Sequence, residues 1–378
     1  MKALILSGGG AKGAFSIGAL KEIRKRRGNL DFDIISGTST GSLIATLLAA
    51  GMLDKLEEIY KTVDNGDIVN QQNILQNIRN NFAFLLDDSP LRAKIDGVLT
   101  EAVALQILNS HVTLLLTAVS LKTGKITVFS NKAITATAGS KRNFVQVRNR
   151  KELIDAMSAS SNQFAFMPPV PIDVGGGAKE QMIDGGVRDT LPTNAIFEST
   201  GDPDEIMVIS NNPMELFEEP DFFVSPITAL LRGISIFIQD VRENDVETLN
   251  AWEKRTGKKY ILITPSEDLD PANPTGLRFE RQRMADMMLT GERRAKRKLD
   301  EVESGVLASR SARSGSRGLI LPSKAKPKRK PKTKTVVKPK KTASTKQTDR
   351  CKGITADGKP CKNHVTGRAK YCHLHRRA

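Results

Sequence analysis

The first fifty residues alternate between short apolar runs and longer runs of helical character, with glycine-rich turns between them. Residues 3–7 are an apolar run that ends in glycines, which is typical of a buried strand entering a tight loop. Residues 13–27 have helical spacing and a basic end, and the pattern repeats with a strand at 33–36 and an apolar helix at 41–50. This β–α–β–α order predicts parallel strands with helices packed on the sheet.

The remaining apolar runs extend the same architecture. Residues 54–110 and 214–258 have mostly helical patterns, and the sequence contains no internal repeat. Further strands are predicted at residues 112–121, 126–129, 182–183, 206–210 and 260–264. The sequence therefore predicts an α/β fold in which a mainly parallel sheet is sandwiched by helices.

A glycine-rich loop at residues 8–13 follows the first predicted strand. It fits the G-x-G-x-x-G pattern of dinucleotide-binding turns, and Asp33 stands near the place of a ribose-binding acid. That acid should close the second strand, however, whereas Asp33 opens it. A phosphate-binding P-loop is excluded because Lys12 precedes Gly13, where the P-loop lysine follows its glycine. From this loop alone, a dinucleotide site and a plain strand–helix turn both remain open.

The second predicted strand ends in a G-x-S-x-G pattern, with Ser39 between Gly37 and Gly41. The pattern is weak by itself, but here it lies between a strand and an apolar helix. In that context the small residues let a strained turn project the serine hydroxyl above the sheet. The N-terminus of the following helix favours an oxyanion at the same place. Ser39 is therefore a candidate nucleophile.

Few side chains could serve as a base for this serine. Of the four histidines, only His111 precedes the C-terminal tail, and its position ahead of an apolar run favours a structural or surface role. Asp184 is the better candidate, because it ends an apolar run that opens into Gly185 and Gly186. The alternative for Asp184 is an Asx-type turn without catalytic function.

The three motifs, in this order, resemble those of the patatin-like phospholipases, and residues 116–131 and 159–170 agree with the same family. The resemblance covers residues 1–298. It implies the family's three-layer α/β fold and hydrolysis of lipid acyl esters at a membrane surface, with no cofactor for catalysis. Two positions depart from the family pattern: Phe164 stands where proline is usual, and Thr190 where asparagine is frequent. We expect these departures to change the acyl pocket.

The resemblance also implies individual roles. Ser39 would be the nucleophile of a catalytic dyad, and Asp184 would accept its proton. The backbone N–H groups of Gly8, Gly9 and Gly10 would form the oxyanion hole, with Lys12 adding positive charge nearby. The other motif glycines are Gly13, Gly37, Gly41, Gly185 and Gly186. These motifs do not distinguish a phospholipase A-type enzyme from a lysophospholipase or a triacylglycerol lipase.

The formal net charge of +16 is concentrated at the C-terminal end. Residues 322–378 carry 19 Lys and Arg against two acids, whereas residues 1–321 have a net charge of −1. This distribution excludes a fold built throughout around nucleic acid. The Lys/Pro-rich run at 324–346 is either a solvated linker or a segment that binds nucleic acid or an anionic membrane. Residues 328–330 would also serve as a nuclear import signal in a eukaryotic cell.

All three cysteines lie in the last 28 residues. Cys351, Cys361, Cys372 and His375 supply a complete tetrahedral zinc set, and the segment resembles short Cys3His zinc elements at protein ends. His364 and His373 are alternative ligands. The lack of cysteine elsewhere predicts a reducing, cytoplasmic environment rather than a disulfide framework.

Three regions are predicted: a hydrolase domain at 1–298, a flexible linker at 299–349 and a small zinc-binding element at 350–378. No uncharged apolar stretch reaches 18 residues, so no transmembrane segment is expected. The alternative to an enzyme is a nucleic-acid- or membrane-binding adaptor with a vestigial hydrolase body. Intact motif residues favour the enzyme.

Overall fold

The computed structural model describes residues 1–68, 70–71, 86–164, 166–175, 177, 179–215, 226–271, 273, 275–305, 349–350 and 364–365. The chain divides into two compact units, Met1–Ser316 and Arg317–Ala378. In the second unit, Asp349–Arg350 and His364–Val365 form a short antiparallel pair. The predicted zinc ligands Cys351, Cys361, Cys372 and His375 lie outside the described residues.

The described part of the first unit contains both strands and helices. The strands are β1 (Lys2–Leu6), β2 (Ile34–Thr38), β3 (Asn70–Gln71), β4 (Leu86–Asp87), β5 (Thr113–Ser120), β6 (Ile126–Ser130), β7 (Asn143–Gln146), β8 (Val170–Asp173), β9 (Lys179–Asp184), β10 (Glu205–Ile209) and β11 (Tyr260–Ile263). The helices are α1 (Gly13–Arg27), α2 (Thr40–Ala49), α3 (Leu53–Thr62), α4 (Ser89–Val98), α5 (Glu101–Leu108), α6 (Arg150–Ser161), α7 (Thr193–Thr200), α8 (Pro226–Thr256) and α9 (Arg281–Glu303).

A nine-stranded sheet runs in the order β11-β10-β1-β2-β5-β6-β7, with β9 paired to β5 and β8 paired to β9. The strands from β11 to β5 pair in parallel, and β6 and β9 pair antiparallel to β5. Strands β3 and β4 form a separate antiparallel pair. The predicted α/β fold with a mostly parallel sheet is confirmed.

Apolar cores lie on both faces of the sheet, as the alternation of side chains along β1 illustrates. Leu4 and Leu6 belong to a large core that includes residues of α1, α2 and α9. Ala3 and Ile5 belong to a second core that includes Trp252 of α8. Because successive side chains of a strand point to opposite faces, one buried strand supports both helical layers.

Strand β5 has two neighbours along one of its edges. Residues 115–119 pair with β6, so β2 and β9 must both lie along the opposite edge. There, Thr38 at the end of β2 faces Thr117, and Asp184 at the end of β9 faces Ala118, the next residue of β5. Because β9 runs antiparallel to β5, the carboxyl ends of β2 and β9 meet head to head.

The structure contains two strands of the large sheet that the sequence did not predict. β7 is short and largely half-exposed, so it lacks a strong apolar pattern. β8 alternates between buried and exposed residues but begins Val170-Pro171, and proline weakens a sequence-based strand prediction. No helix among the described residues combines the length and apolar character that crossing a bilayer requires.

Helices α1 and α9 cross in close contact through two glycines. A Cβ atom on Gly18 would collide with the backbone carbonyl of Met288, and one on Gly291 would collide with the carbonyl of Phe15. Because the obstacles are backbone atoms, no side-chain rotation could relieve the clash. This crossing fixes α9 on the helix that follows the glycine loop.

We expect Gly18→Ala and Gly291→Ala each to lower the free energy of unfolding by about 1–3 kcal/mol or more, because the added methyl group must push the helices apart. Gly97→Ala in α4 is the matched control, since its Cβ would meet nothing within 4 Å. That variant should instead gain about 0.5–1 kcal/mol from helix propensity. Denaturant unfolding measures all three, and a stable Gly18→Ala protein would contradict the tight crossing.

Candidate active site

Ser39 occupies a strained turn between β2 and α2. Its backbone angles are φ 57° and ψ −130°, and it is the one non-glycine residue with positive φ in the described part of the chain. A Cβ atom on Gly37 would collide with the carbonyl of Gly41, and one on Gly41 with the carbonyl of Leu6. The flanking glycines are therefore required sterically. The turn has the form of a nucleophile elbow.

Asp184 lies at the adjoining end of β9 and is 6% exposed. The N–H of Gly186 donates a hydrogen bond to its Oδ1 atom at 2.7 Å. Burial raises the pKa of Asp184 to about 6, while hydrogen bonds from the Ser39 hydroxyl and the Gly186 N–H act to lower it. The carboxyl therefore forms an Asx-type turn and also reaches the serine hydroxyl.

The glycine loop lies against the serine. A Cβ atom on Gly8 would stand 2.8 Å from the Cβ of Ser39, so a larger residue would displace the nucleophile. Gly9 and Gly10 have φ of 143° and 56°, a region that favours glycine. Within the described residues, no backbone hydrogen bond is donated by Gly8, Gly9 or Gly10. Their N–H groups are thus available to an acceptor beside Ser39.

Lys12 is only 3% exposed, and its charge is already paired. Its Nζ atom lies 2.6 Å from Oδ1 of Asp268 and 3.4 Å from Oδ1 of Asn212. Neither partner belongs to one of the three sequence motifs. The ion pair offsets the positive charge that the resemblance assigns to Lys12.

Ser160, on α6, is a site residue that the motifs do not indicate. Its Oγ atom accepts a hydrogen bond from the backbone N–H of Ser39 at 3.1 Å. The amide of Ser39 therefore already has a partner. No spacing rule links residue 160 to residue 39, because the contact depends on how α6 packs beside α2.

A second polar cluster adjoins the Ser39 turn. Asp189 is fully buried, and Arg142 binds its Oδ2 atom at 3.1 Å and Glu198 at 2.6 Å. Burial, opposed by Arg142, raises the pKa of Asp189 to about 6. The backbone carbonyl of Asp189 accepts a hydrogen bond from Thr38, the residue before the nucleophile, at 2.8 Å. The loop after Asp184 is thereby tied to the serine turn.

His111 lies at the other end of the sheet from Ser39. In the parallel pairing of β2 and β5, Ile34 faces Thr113, so His111 precedes the start of β5 while Ser39 follows the end of β2. His111 is also exposed to solvent. The structure therefore does not bring it together with the other candidate residues.

A cavity of about 1000 Å³ opens above Ser39 and Asp184. Its apolar lining comes mainly from α2, α3, α4 and α8, and includes Leu43, Leu47, Ile59, Leu91, Ile95, Leu230 and Phe237. Phe164 and Thr190, the two departures from the family pattern, also line it. The cavity is at the upper end of the size range of small-molecule sites. It has room for a long acyl chain.

The described residues contain no cluster of three or more His, Cys, Asp or Glu side chains placed to hold a metal ion. The predicted zinc ligands are not among those residues. Ser39, Asp184 and the glycine loop are the candidate site residues that the structure brings together.

The chain belongs to the patatin-like phospholipase family, whose model matches residues 4–197, over half of its length. The resemblance inferred from the motifs is confirmed for those residues. The chain is 44% identical over 63 residues to a cUMP-AMP-activated phospholipase of Escherichia coli, covering 16% of this chain and 20% of that protein. It is 41% identical over 68 residues to Phospholipase A I of Arabidopsis thaliana, covering 17% and 5%.

These matches span a fifth or less of the length of the two curated relatives. Among solved structures, VipD from Legionella pneumophila aligns with a TM-score of 0.39 and 14% identity, covering 79% of this chain and 67% of that one.

Because burial raises the pKa of Asp184 to about 6, ionisation of this carboxyl destabilises the folded state, and the loss of stability is complete above that pH. A carboxyl whose pKa is about 6 when folded and 3.8 when unfolded binds its proton more tightly in the folded state, so its contribution to stability falls as pH rises. We expect Asp184→Asn to gain about 2 kcal/mol relative to wild type between about pH 4.5 and about pH 8. Denaturant unfolding at both pH values measures this.

Asp204→Asn is a control of opposite sign, because Lys258 and the N-terminus hold the pKa of Asp204 down at about 2. Removing that carboxylate should lower stability above pH 4 and change it less in acid. A constant difference between Asp184→Asn and wild type at both pH values would show that Asp184 has an ordinary pKa.

Proposed function

We propose that the protein hydrolyses the acyl esters of lipids with a Ser39–Asp184 dyad. The observation that supports this most is the meeting of the Ser39 turn, the buried Asp184 carboxyl and the unpaired glycine-loop N–H groups at one end of an apolar cavity. A nucleophile, a base, a donor for an oxyanion and room for an acyl chain are the parts that acyl transfer requires. The family and its phospholipase relatives agree with this activity.

Acylation begins when the Ser39 Oγ atom attacks the carbonyl carbon of the ester and its proton passes to Asp184. The carbonyl oxygen becomes an oxyanion, which the N–H groups of Gly8 to Gly10 stabilise. When this intermediate collapses, the bond to the alcohol breaks, and the proton on Asp184 moves to the departing oxygen. The products of this step are the alcohol, a lysolipid where the substrate is a diacyl phospholipid, and an acyl-Ser39 enzyme.

Deacylation repeats the same steps with water. Asp184 takes a proton from water, the resulting hydroxide adds to the acyl carbonyl, and the oxyanion forms again in the glycine loop. Collapse then releases the fatty acid and returns the proton to the Ser39 oxygen. No metal or redox group takes part in either half of the cycle.

A carboxylate is a weak base for a hydroxyl group, so burial matters. The pKa of about 6 makes Asp184 a stronger base than an ordinary aspartate, and it remains mostly ionised at neutral pH. The remaining barrier has to be lowered by the oxyanion donors, which are worth about 3–4 kcal/mol each in other hydrolases. The fixed turn at Gly9 and Gly10 holds those donors without further reorganisation.

The dyad can be tested by substitution. We expect Ser39→Ala and Asp184→Asn each to lower kcat/KM for a short-chain ester by about three orders of magnitude or more, because the nucleophile or its proton acceptor is lost. His111→Ala should stay close to wild type, because this residue lies at the opposite end of the sheet. Steady-state hydrolysis of the ester, with unfolding curves for each variant, measures the effect.

Two outcomes would contradict the dyad. A His111→Ala enzyme as impaired as Ser39→Ala would assign the base to histidine. Wild-type protein without hydrolytic activity on short-chain esters and on mixed lipid extracts would instead favour the adaptor function, with a vestigial site.

We further propose a structural zinc ion bound by Cys351, Cys361, Cys372 and His375. Three thiolates and one imidazole match the preferred tetrahedral set of this metal, and the two residues between Cys372 and His375 let a single turn present both ligands. The basic run at 324–346 would bring this element to a polyanion, either nucleic acid or an anionic membrane.

Metal content tests this assignment in the full-length protein. We expect about one zinc ion per chain in the wild type, and loss of most of it in Cys361→Ser and in His375→Ala. His373→Ala is the matched control and should keep its zinc. Atomic absorption after dialysis gives the measurement, and loss of zinc from His373→Ala alone would move the fourth ligand to that residue.

A further inference from the structure

Arg242, on α8, is a buried cation that lines the cavity above the dyad. It is only 5% exposed, yet no carboxylate of a described residue lies within ion-pair distance of it. The equally internal Arg142 differs, since it binds both Asp189 and Glu198. A buried charge without a partner is costly, so it is retained in most proteins only where something pairs with it.

Only one edge of the Arg242 guanidinium is used by the protein. Its Nη1 atom donates to the carbonyl of Pro213 at 2.8 Å and to Oε1 of Gln239 at 2.6 Å. The Nε atom is buried without a hydrogen-bond partner, and Nη2 donates to no described residue. Nη2 is therefore the guanidinium nitrogen that remains to donate to an oxygen of a phosphate or carboxylate.

The acids near Arg242 are engaged elsewhere. Burial lowers the pKa of Arg242 to about 10, and the more distant charges of Asp245, Glu243 and Asp268 act to raise it. Asp268 pairs with Lys12 at 2.6 Å, Glu243 accepts from Gln239 at 2.8 Å, and Asp245 accepts from the N–H of Leu191 at 2.8 Å. Arg242 is therefore charged at neutral pH, and no anion of a described residue lies close to it.

The other described cations of the cavity wall have interactions of their own. Lys12 is paired with Asp268, and Lys94 lies 3.0 Å from Asp67. Arg232 also lines the cavity and has an interaction of its own. For Arg242, the described residues offer neutral acceptors alone.

A short chain of contacts connects Arg242 to the glycine loop. Arg242 holds the carbonyl of Pro213, and the preceding residue, Asn212, accepts a hydrogen bond from Lys12 at 3.4 Å. A Cβ atom on Gly9 would stand 3.6 Å from the side-chain nitrogen of Asn212. Arg242 thus belongs to the part of the cavity wall that adjoins the proposed oxyanion hole. An ester carbonyl bound there would bring the next polar group of its lipid towards α8.

We propose that Arg242 binds the phosphate of a glycerophospholipid whose ester carbonyl lies in the glycine loop. The inference rests on the proposed acyl hydrolysis and names its substrate class. In a glycerophospholipid the phosphate and the scissile ester share one glycerol unit, so one cavity accommodates both. A neutral acylglycerol would bring no anion to Arg242. Its binding would therefore not offset the free energy that burial of the guanidinium charge costs. The site would therefore prefer phospholipids to triacylglycerols and diacylglycerols.

A pair of substrates with the same acyl chains tests the proposal. Dioleoylphosphatidylcholine and dioleoylglycerol are compared in the same detergent micelles, and kcat/KM is measured for the wild type, Arg242→Gln, Arg242→Lys and Arg255→Gln. Arg255 is the matched control, because it is an exposed arginine on the same helix that pairs with Asp202. We expect the ratio of phospholipid to diacylglycerol hydrolysis to fall about tenfold to a hundredfold in Arg242→Gln.

The conservative variants separate a binding role from a structural one. Arg242→Lys keeps the charge but replaces the planar guanidinium with a single ammonium group, so its ratio should lie between those of wild type and Arg242→Gln. Arg255→Gln should leave the ratio unchanged. If Arg242→Gln slows both lipids equally, Arg242 only holds the Pro213 loop and the proposal is wrong. A wild-type enzyme that hydrolyses neither lipid would instead contradict the proposed function.

A measurement on the wild type alone covers the case in which Arg242→Gln does not fold. Glycerophosphocholine should inhibit hydrolysis of a neutral short-chain ester, whereas glycerol at the same concentration should not. Equal effects of these two compounds would overturn the phosphate site. Inhibition by inorganic phosphate as strong as that by glycerophosphocholine would assign the site to a free anion and contradict the headgroup assignment.

Discussion

The candidate site depends on the pairing of two strands with the same edge of β5. Parallel β2 and antiparallel β9 occupy successive stretches of that edge, with Thr38 opposite Thr117 and Asp184 opposite Ala118. A shift of β9 by one residue would turn Asp184 to the other face of the sheet and remove it from Ser39. The register of a few backbone hydrogen bonds thus sets the distance between the proposed nucleophile and its base.

This head-to-head meeting leaves little space, which explains the small residues around it. A Cβ atom on Gly185 would collide with the carbonyl of Thr117, and one on Gly8 would press on the Cβ of Ser39. The same crowding excludes water from Asp184 and raises its pKa. Stability is therefore given up at this carboxyl, and perturbed pKa values of this kind are frequent at functional sites.

The features that the sequence predicted are those encoded within a few neighbouring residues. The strand–loop–helix order, the turn at Ser39 and the glycines after Asp184 all carry local patterns, and the structure brings them together. Antiparallel β9, the half-exposed β7 and the contact of Ser160 with Ser39 depend on packing between distant segments. No local pattern indicates such contacts. Arg242 is the residue whose position was hardest to predict, because an arginine in a helix is ordinarily a surface residue.

Asp184 and Arg242 both line the cavity, and together they would fix the orientation of a bound lipid. One is a buried carboxyl with a raised pKa, and the other is a buried guanidinium whose Nη2 atom donates to no described residue. The apolar side chains of Leu43, Leu91 and Ile95 line the same cavity. A lipid that places its acyl chain among these residues and its phosphate at Arg242 would present the ester between them, at the glycine loop. Because the charge at Arg242 is held in place before the substrate arrives, the bound lipid would lose less free energy on being oriented for the reaction.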